Sequence, residues 1–120
     1  MTKTVIPDPV RELLPLTPAV FYILFALAQG EKHGYAIMKE VETISSGQFT
    51  MGPGTLYTTI QRLLELGLIE ETSTASASER RRRCYRLSRM GRKAFAAELS
   101  RMDWLVRSAQ RRKLAPREAR

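Results

Sequence analysis

Four consecutive arginines are the most chemically distinctive feature of this sequence: Arg80, Arg81, Arg82 and Arg83. Guanidinium groups form charge-assisted, often bidentate hydrogen bonds with phosphate oxygens, so such a run suits contact with a polyanion. The surrounding charge is asymmetric, because residues 1–79 carry a net charge of −4 and residues 80–120 a net charge of +12. The sequence therefore predicts a polyanionic partner, nucleic acid or an anionic membrane face, that engages the C-terminal third.

A second polar group lies on one face of a helix predicted over residues 55–66. The apolar positions of this helix share one face: Leu56, Ile60, Leu63 and Leu64. The other face presents short hydrogen-bonding groups and one cation: Thr55, Thr58, Thr59, Gln61 and Arg62. These groups can contact base edges, and threonine methyls suit thymine. We expect the ring of Tyr57 to pack on the domain and its hydroxyl to face a phosphate.

Catalytic and metal-binding chemistry has little support in the sequence. One histidine, His33, and one cysteine, Cys84, are too few for a zinc site, and there is no glycine-rich phosphate loop. Glu70 and Glu71 are adjacent on a predicted strand, so their carboxylates point to opposite faces. We expect no enzymatic activity, no metal and no cofactor.

Localisation is predicted from the same sparse features. A lone cysteine forms no internal disulfide, which fits the cytoplasm. The start of the chain shows no export signal, and the apolar stretch at residues 18–28 is far shorter than the ~20 residues of a membrane span. We expect a cytoplasmic protein without a membrane partner.

The remaining segments indicate how the polar helix is positioned. A first helix begins after the N-cap Thr17 and ends at Gln29 and Gly30. The other predicted elements are a second helix over residues 35–44, a Gly-Pro-Gly turn, strands over 68–72 and 80–87, and a last helix after Ser88. This order predicts a mainly α fold with a small β-hairpin wing, a winged helix-turn-helix whose third helix enters the major groove of DNA. We expect Tyr35 and the four arginines to hold the phosphate backbone.

The last helix carries an apolar seam that is typical of helix packing between subunits: Phe95, Leu99, Met102, Val106 and Ala109. The first helix is apolar almost all round, so we expect Phe21 and Phe25 to share in a dimer interface. Trp104 lies off the seam, where it either covers another part of the dimer or lines an effector site.

The predicted divisions are an N-terminal arm (1–16), the DNA-binding domain (17–87), a C-terminal dimerisation helix (88–114) and a basic tail (115–120).

Four blocks in this order resemble the PadR family of transcription regulators. They are His33-Gly34-Tyr35, Gly54-Thr55-Leu56-Tyr57, Arg62-Leu63-Leu64-Glu65-Leu66-Gly67-Leu68-Ile69, and Arg83-Cys84-Tyr85-Arg86-Leu87-Ser88 followed by Gly91. The resemblance covers about residues 17–110. It implies a winged helix-turn-helix, a dimer built from the first and last helices, and usually repression that a small, often aromatic compound relieves. Thr58, where the family often has proline, and Cys84, where it often has an aromatic or charged residue, depart from the pattern.

The sequence thus predicts a homodimeric, sequence-specific DNA-binding regulator, a repressor released by a small aromatic or hydrophobic effector. The alternative is a winged-helix module that docks on protein or binds RNA without operator specificity. A protein-docking module has little use for so basic a C-terminal third. An RNA binder is expected to offer exposed aromatic rings for stacking, and Tyr57 is the one candidate near the proposed surface.

Overall fold

The computed structural model describes residues 9–72 and 83–114. Its elements in chain order are α1 (Pro9–Glu12), α2 (Pro18–Ala28), β1 (Lys32–His33), α3 (Gly34–Ile44), α4 (Pro53–Glu65), β2 (Ile69–Glu71), β3 (Cys84–Leu87) and α5 (Arg89–Arg111). This is the mainly helical fold with a small antiparallel sheet that the sequence predicts. No helix among the described residues combines the length and apolar character needed to cross a bilayer.

Helix α2 is the centre of the core. The side chain of Thr17 caps it by accepting from the backbone N–H of Val20 (3.3 Å), and Pro18 occupies its first turn. Ile23, Leu24 and other residues on this helix are fully buried. Because α2 contacts α3, α4, α5 and β3, its apolar surface is used on nearly every side.

Helix α4 begins at Pro53, two residues before the predicted start, because Gly52 has the extended conformation of an N-cap and proline suits the first helical turn. It ends in a Schellman motif. The N–H groups of Gly67 and Leu68 donate to the carbonyls of Leu64 (3.1 Å) and Leu63 (2.9 Å). Gly67 has φ +77°, a conformation that glycine adopts without steric cost. The helix therefore ends at Glu65, one residue before the predicted end.

The sheet has three strands in the order β1-β3-β2, all antiparallel. Tyr85 and Leu87 are buried and Arg86 is exposed, as the alternation of the sequence predicts. The described strands are shorter than predicted, and β1 was not predicted at all. The first three arginines of the run (Arg80, Arg81 and Arg82) and the basic tail lie outside the described residues.

Helix α5 is attached to the sheet and to the end of α4 at its first turn. Ser88 Oγ accepts from the N–H of Gly91 (3.0 Å) and donates to the carbonyl of Gly67 (2.6 Å). A Cβ atom at Gly91 would overlap the carbonyl oxygen of Leu68, so only glycine permits this approach. The start of α5 is therefore fixed by contacts with the backbone of Gly67 and Leu68, just after α4.

The segment before α2 contacts α5. Helix α1 packs on α5, and Val10, Leu13 and Leu16 pack against the buried core. The sequence predicts one apolar turn here without indicating its partner. The described part of the predicted arm thus covers one side of α5.

Candidate nucleic-acid interface

The two faces of α4 have opposite surroundings. Leu56, Ile60 and Leu63 are buried against α2, α3 and β2. The predicted base-reading side chains on the other face are exposed, with the exception of half-buried Thr59: Thr55, Thr58, Gln61 and Arg62. The apolar stripe therefore fixes the helix on the core while its polar side chains stay free for a partner.

Thr59 differs from its neighbours. Its Oγ1 donates to the backbone carbonyl of Thr55 at 2.7 Å, so its one hydroxyl proton is used within the helix. Gln61 Nε2 donates to Glu65 Oε2, but this hydrogen bond is long (3.4 Å) and exposed, so the amide can exchange it for another partner at small cost. Gln61 and Arg62 are the longest of the predicted base-reading side chains, and both are exposed, so they can reach a partner.

Tyr57 connects α4 with the start of α3. A Cβ atom at Gly34 would overlap the hydroxyl and ring of Tyr57, so the tyrosine lies directly against the glycine. Tyr57 is nevertheless 47% exposed, so part of it is accessible to solvent. The contact sets the start of α3 against α4, and it places the Tyr57 hydroxyl beside Gly34.

The first turn of α3 presents Tyr35 next to this contact. Tyr35 is 59% exposed, and the Lys39 ammonium lies 5.8 Å from its ring centroid, within the range of a cation–π interaction. His33 caps the helix, because its Nδ1 accepts from the N–H of Ala36 (3.3 Å). His33 therefore has a structural role at the start of α3.

The described base of the wing carries paired charges. Arg86 Nε lies 3.0 Å from Glu70 Oε1, and Arg83 Nε lies 3.6 Å from Glu71 Oε2. Both pairs are exposed, and such pairs contribute only about 0–1 kcal/mol. A phosphate group can therefore replace either carboxylate at small cost.

The predicted dimer seam on α5 divides into two parts. The Phe95 ring lies 5.6 Å from that of Phe21 and 5.4 Å from that of Phe25, so this end packs within the chain. Farther along the helix, Leu99 is 42% and Val106 53% exposed. The other two seam residues are half-buried: Met102 and Ala109.

Trp104 is 59% exposed, and its neighbour Leu105 is exposed too. A cavity between α1 and α5 is lined by Pro9, Val10, Arg89, Met90, Lys93 and Ala97. Trp104 does not belong to its walls, so this cavity is separate from the effector site that the sequence suggests.

Sequence reasoning missed Glu98, a buried carboxylate on α5. Its Oε1 accepts from Arg101 Nε (2.6 Å), and its Oε2 accepts from Arg101 Nη2 (3.0 Å) and from the N–H of Leu16 (3.0 Å). The hydrogen bonds from Arg101 hold the pKa of Glu98 below its usual range although burial opposes this, and the Leu16 N–H adds to the lowering. An available signal was its spacing from Gly91 and Ala94, which puts it on their buried face.

No group of three or more metal-ligating side chains occurs in the described ranges. His33 and Cys84 do lie opposite each other on β1 and β3. Neither joins a carboxylate cluster there, and the site is built from hydrogen-bonding and cationic groups.

Comparison with known proteins gives consistent matches. Residues 23–97 match the model of the transcriptional regulator PadR-like family. Transcriptional regulator YqjI of Escherichia coli is 38% identical over 47 residues, which are 39% of this chain and 23% of that protein. The chain thus spans about a quarter of the length of the curated relatives it matches.

Solved structures show the same fold. A complex of RosR from H. salinarum superposes with a TM-score of 0.66 at 25% identity, over 84% of this chain and 80% of that one. A PadR family regulator from Clostridium difficile superposes with a TM-score of 0.64 at 21% identity, over 79% and 97% of the respective chains. A PadR-like regulator from Bacillus cereus gives a TM-score of 0.63 at 18% identity, over 89% and 97%.

Proposed function

Because the chain belongs to the PadR-like family of transcriptional regulators, which bind DNA, we propose that it is a homodimeric repressor of an inverted-repeat operator. The observation that carries this proposal is the division of α4 into a buried apolar back and an exposed polar front. A helix of that kind at the third position of a helix-turn-helix suits the major groove, which admits one helix. The protein acts by binding alone, in the cytoplasm, and catalyses nothing.

Two sets of residues share the contact with DNA in this proposal. The front of α4 reads base edges through Thr55, Thr58, Thr59, Gln61 and Arg62, with Gln61 and Arg62 contributing most. The backbone is held by Tyr35, Tyr57 and the arginines of the wing, residues 80–83. Phosphate contacts supply much of the affinity of such complexes, and base contacts supply the sequence preference.

The dimer forms through α5. Exposed apolar side chains at Leu99 and Val106 lose contact with water when a second copy packs on them, which stabilises association by about 25 cal/mol per Å² of apolar surface. Phe21, Phe25 and Phe95 pack on one another within the chain but are only half-buried, and their exposed parts extend the interface, as do Met102 and Ala109. A small aromatic or hydrophobic effector binds near Trp104, where an indole ring is exposed, and releases the operator.

Selection from a pool of random duplex DNA tests this function. The full chain is incubated with the pool at two salt concentrations, and the retained fraction is sequenced. A double variant, Gln61→Ala with Arg62→Ala, removes base contacts, and Arg107→Ala on α5 is the matched control for lost charge. We expect the wild type and the control to enrich one inverted repeat with strong salt dependence.

Each outcome of this selection has a definite meaning. If the double variant loses enrichment and the control keeps it, the result supports base reading by α4. Weak binding of the wild type without enrichment contradicts operator recognition, and it favours a module that docks on protein or RNA. Enrichment of a single site without a repeat contradicts the dimer.

A further inference from the structure

Glu98 lies in the middle of α5 with 0% of its surface exposed. Charged side chains are almost never fully buried unless they are paired. Its three hydrogen bonds join its carboxylate to the Arg101 guanidinium and to the backbone N–H of Leu16. We call these three groups the Glu98 clamp. The bond to Leu16 connects positions 82 residues apart in the chain.

The clamp ties α5 to the first helix of the DNA-binding domain. Leu16 immediately precedes Thr17, the N-cap of α2. Helix α2 in turn supplies buried residues to the core on which α3 and α4 pack. A displacement of α5 at Glu98 is therefore transmitted to the start of the domain that holds the recognition helix.

The other attachment of α5 to α2 has a different character. Phe95, one turn before Glu98, packs on Phe21 and Phe25 through ring contacts. Apolar contacts are non-directional, so they fix proximity better than angle. The two bonds from Arg101 lie within α5 and hold the Glu98 carboxylate in place. Hydrogen bonds weaken steeply with misalignment, so the 3.0 Å bond from the Leu16 N–H to this carboxylate constrains the angle of α5.

Stability alone gives a poor reason for a carboxylate at this position. Replacing a buried ion pair with apolar side chains of similar volume is often neutral or stabilising, whereas fixing register is the best-attested use of such groups. The cost of desolvating Glu98 is therefore better explained by orientation than by added stability.

We propose that Glu98 is a positioning residue that fixes the angle between α5 and the DNA-binding domain, and thereby the separation of the two α4 helices in the dimer. This rests on the proposed function. Helix α5 continues 13 residues beyond Glu98, to Arg111, which is about 20 Å. A tilt of about 10° over that length displaces its end by about 3.5 Å, close to the rise of one base pair.

The test compares operator duplexes whose half-sites are separated by the preferred distance or by one or two base pairs more or fewer. The proteins are the full-length wild type, Glu98→Met, which fills the site without hydrogen bonds, and Glu98→Gln, a milder change that preserves shape. Asp103→Asn is the matched control, since it removes an exposed ion pair with Arg107 from the same helix. A duplex with a single half-site reports on the DNA-binding domain alone.

We expect the wild type and Asp103→Asn to prefer one separation by about tenfold, the size of one lost base-pair contact. Glu98→Met should discriminate less than threefold, with Glu98→Gln between them and single half-site affinity unchanged within about twofold. If Glu98→Met fails to fold, the separation preference of Glu98→Gln tests the proposal in its place.

An unchanged separation profile in the folded variants would overturn the proposal, as would a parallel loss of single half-site binding, because that indicates a purely structural role. Failure of the wild type to prefer any inverted repeat would instead remove the proposed function itself.

Discussion

Helices α4 and α5 are both amphipathic, but they leave opposite faces uncovered. In α4 the apolar residues Leu56, Ile60 and Leu63 are buried within the chain, and its polar front is exposed. In α5 the exposed surface beyond Phe95 includes Leu99 and Val106, which are apolar. The difference indicates two kinds of partner. The front of α4 suits a polar, hydrogen-bonding surface, and α5 suits another apolar helix.

The largest expected effect comes from a charge on the apolar side of α5. In Val106→Asp a carboxylate replaces a 53% exposed valine, and burying it in an interface costs several kcal/mol. We expect the dissociation constant of the dimer to rise more than about 100-fold, measured by sedimentation velocity.

Ser100→Asp is the control for this change, because it adds the same charge at an exposed position off the seam. It should leave the dimer intact. A Val106→Asp protein that remains a dimer at low micromolar concentration would show that subunits associate elsewhere.

A smaller effect is expected on the front of α4, where Arg62 and Thr59 should differ. Arg62 is exposed and long, whereas the Thr59 hydroxyl already donates to the Thr55 carbonyl. Arg62→Ala should cost about 1–3 kcal/mol and relax preference at one base pair. Thr59→Ala should change the preference less than Arg62→Ala does, because the Thr59 methyl group can contact a base but its hydroxyl proton is used within the helix.

Binding to a panel of single-base operator variants checks both changes. If Thr59→Ala relaxed the preference and Arg62→Ala left it intact, Thr59 would be the main base-reading residue of the two.

A change in the wing should have a still smaller effect on operator affinity, and it should raise the affinity. Glu71→Gln releases Arg83 from its carboxylate partner at 3.6 Å. Because an exposed pair contributes about 0–1 kcal/mol, operator affinity should rise by roughly two- to fivefold at low salt, with a slightly steeper salt dependence. Equilibrium binding at several salt concentrations measures this.

Asp103→Asn removes the same charge from α5 and should leave affinity unchanged. Equal gains in the two variants would mean that net charge, and not release of Arg83, is responsible.

The junction between the two regions should respond to acid. Since the pKa of folded Glu98 is lowered by Arg101 and Leu16, its ionised form stabilises the fold above the unfolded pKa of about 4.3. That contribution is lost as the pH falls through the folded pKa. The difference in unfolding free energy between wild type and Glu98→Gln should therefore shrink from pH 7 to pH 3.

Urea unfolding at several pH values measures the difference. A gap between the two proteins that stays constant down to pH 3 would contradict a stabilising role for the ionised carboxylate.

The parts of the fold that the sequence predicts are those with a local signal. The stripe of α4 repeats at helical spacing, and Gly67 marks its end. Strand β1 has only Lys32 and His33, too few for any period to emerge. The hydrogen bond between Leu16 and Glu98 joins residues that are 82 positions apart in the chain, so no local sequence pattern predicts it.

The candidate site was predictable in outline and not in detail. Residue types and spacing indicate which face of α4 is polar. They do not show that the Thr59 hydroxyl turns back to its own helix, that Tyr57 lies on Gly34, or that Arg83 is paired with Glu71. Such details depend on which side chains packing brings together.

Cross-link mapping is the most direct test of the central claim, that two copies of α4 read one operator. A photoreactive side chain is placed at Thr58, an exposed position on the front of α4 that leaves Gln61 and Arg62 intact, and another at Ser100 on α5 serves as the control. The account predicts cross-links from position 58 to bases at two symmetric positions about 34 Å apart, one helical turn of DNA, and none from position 100. Cross-links from position 100 alone, or from position 58 to a single site, would contradict it.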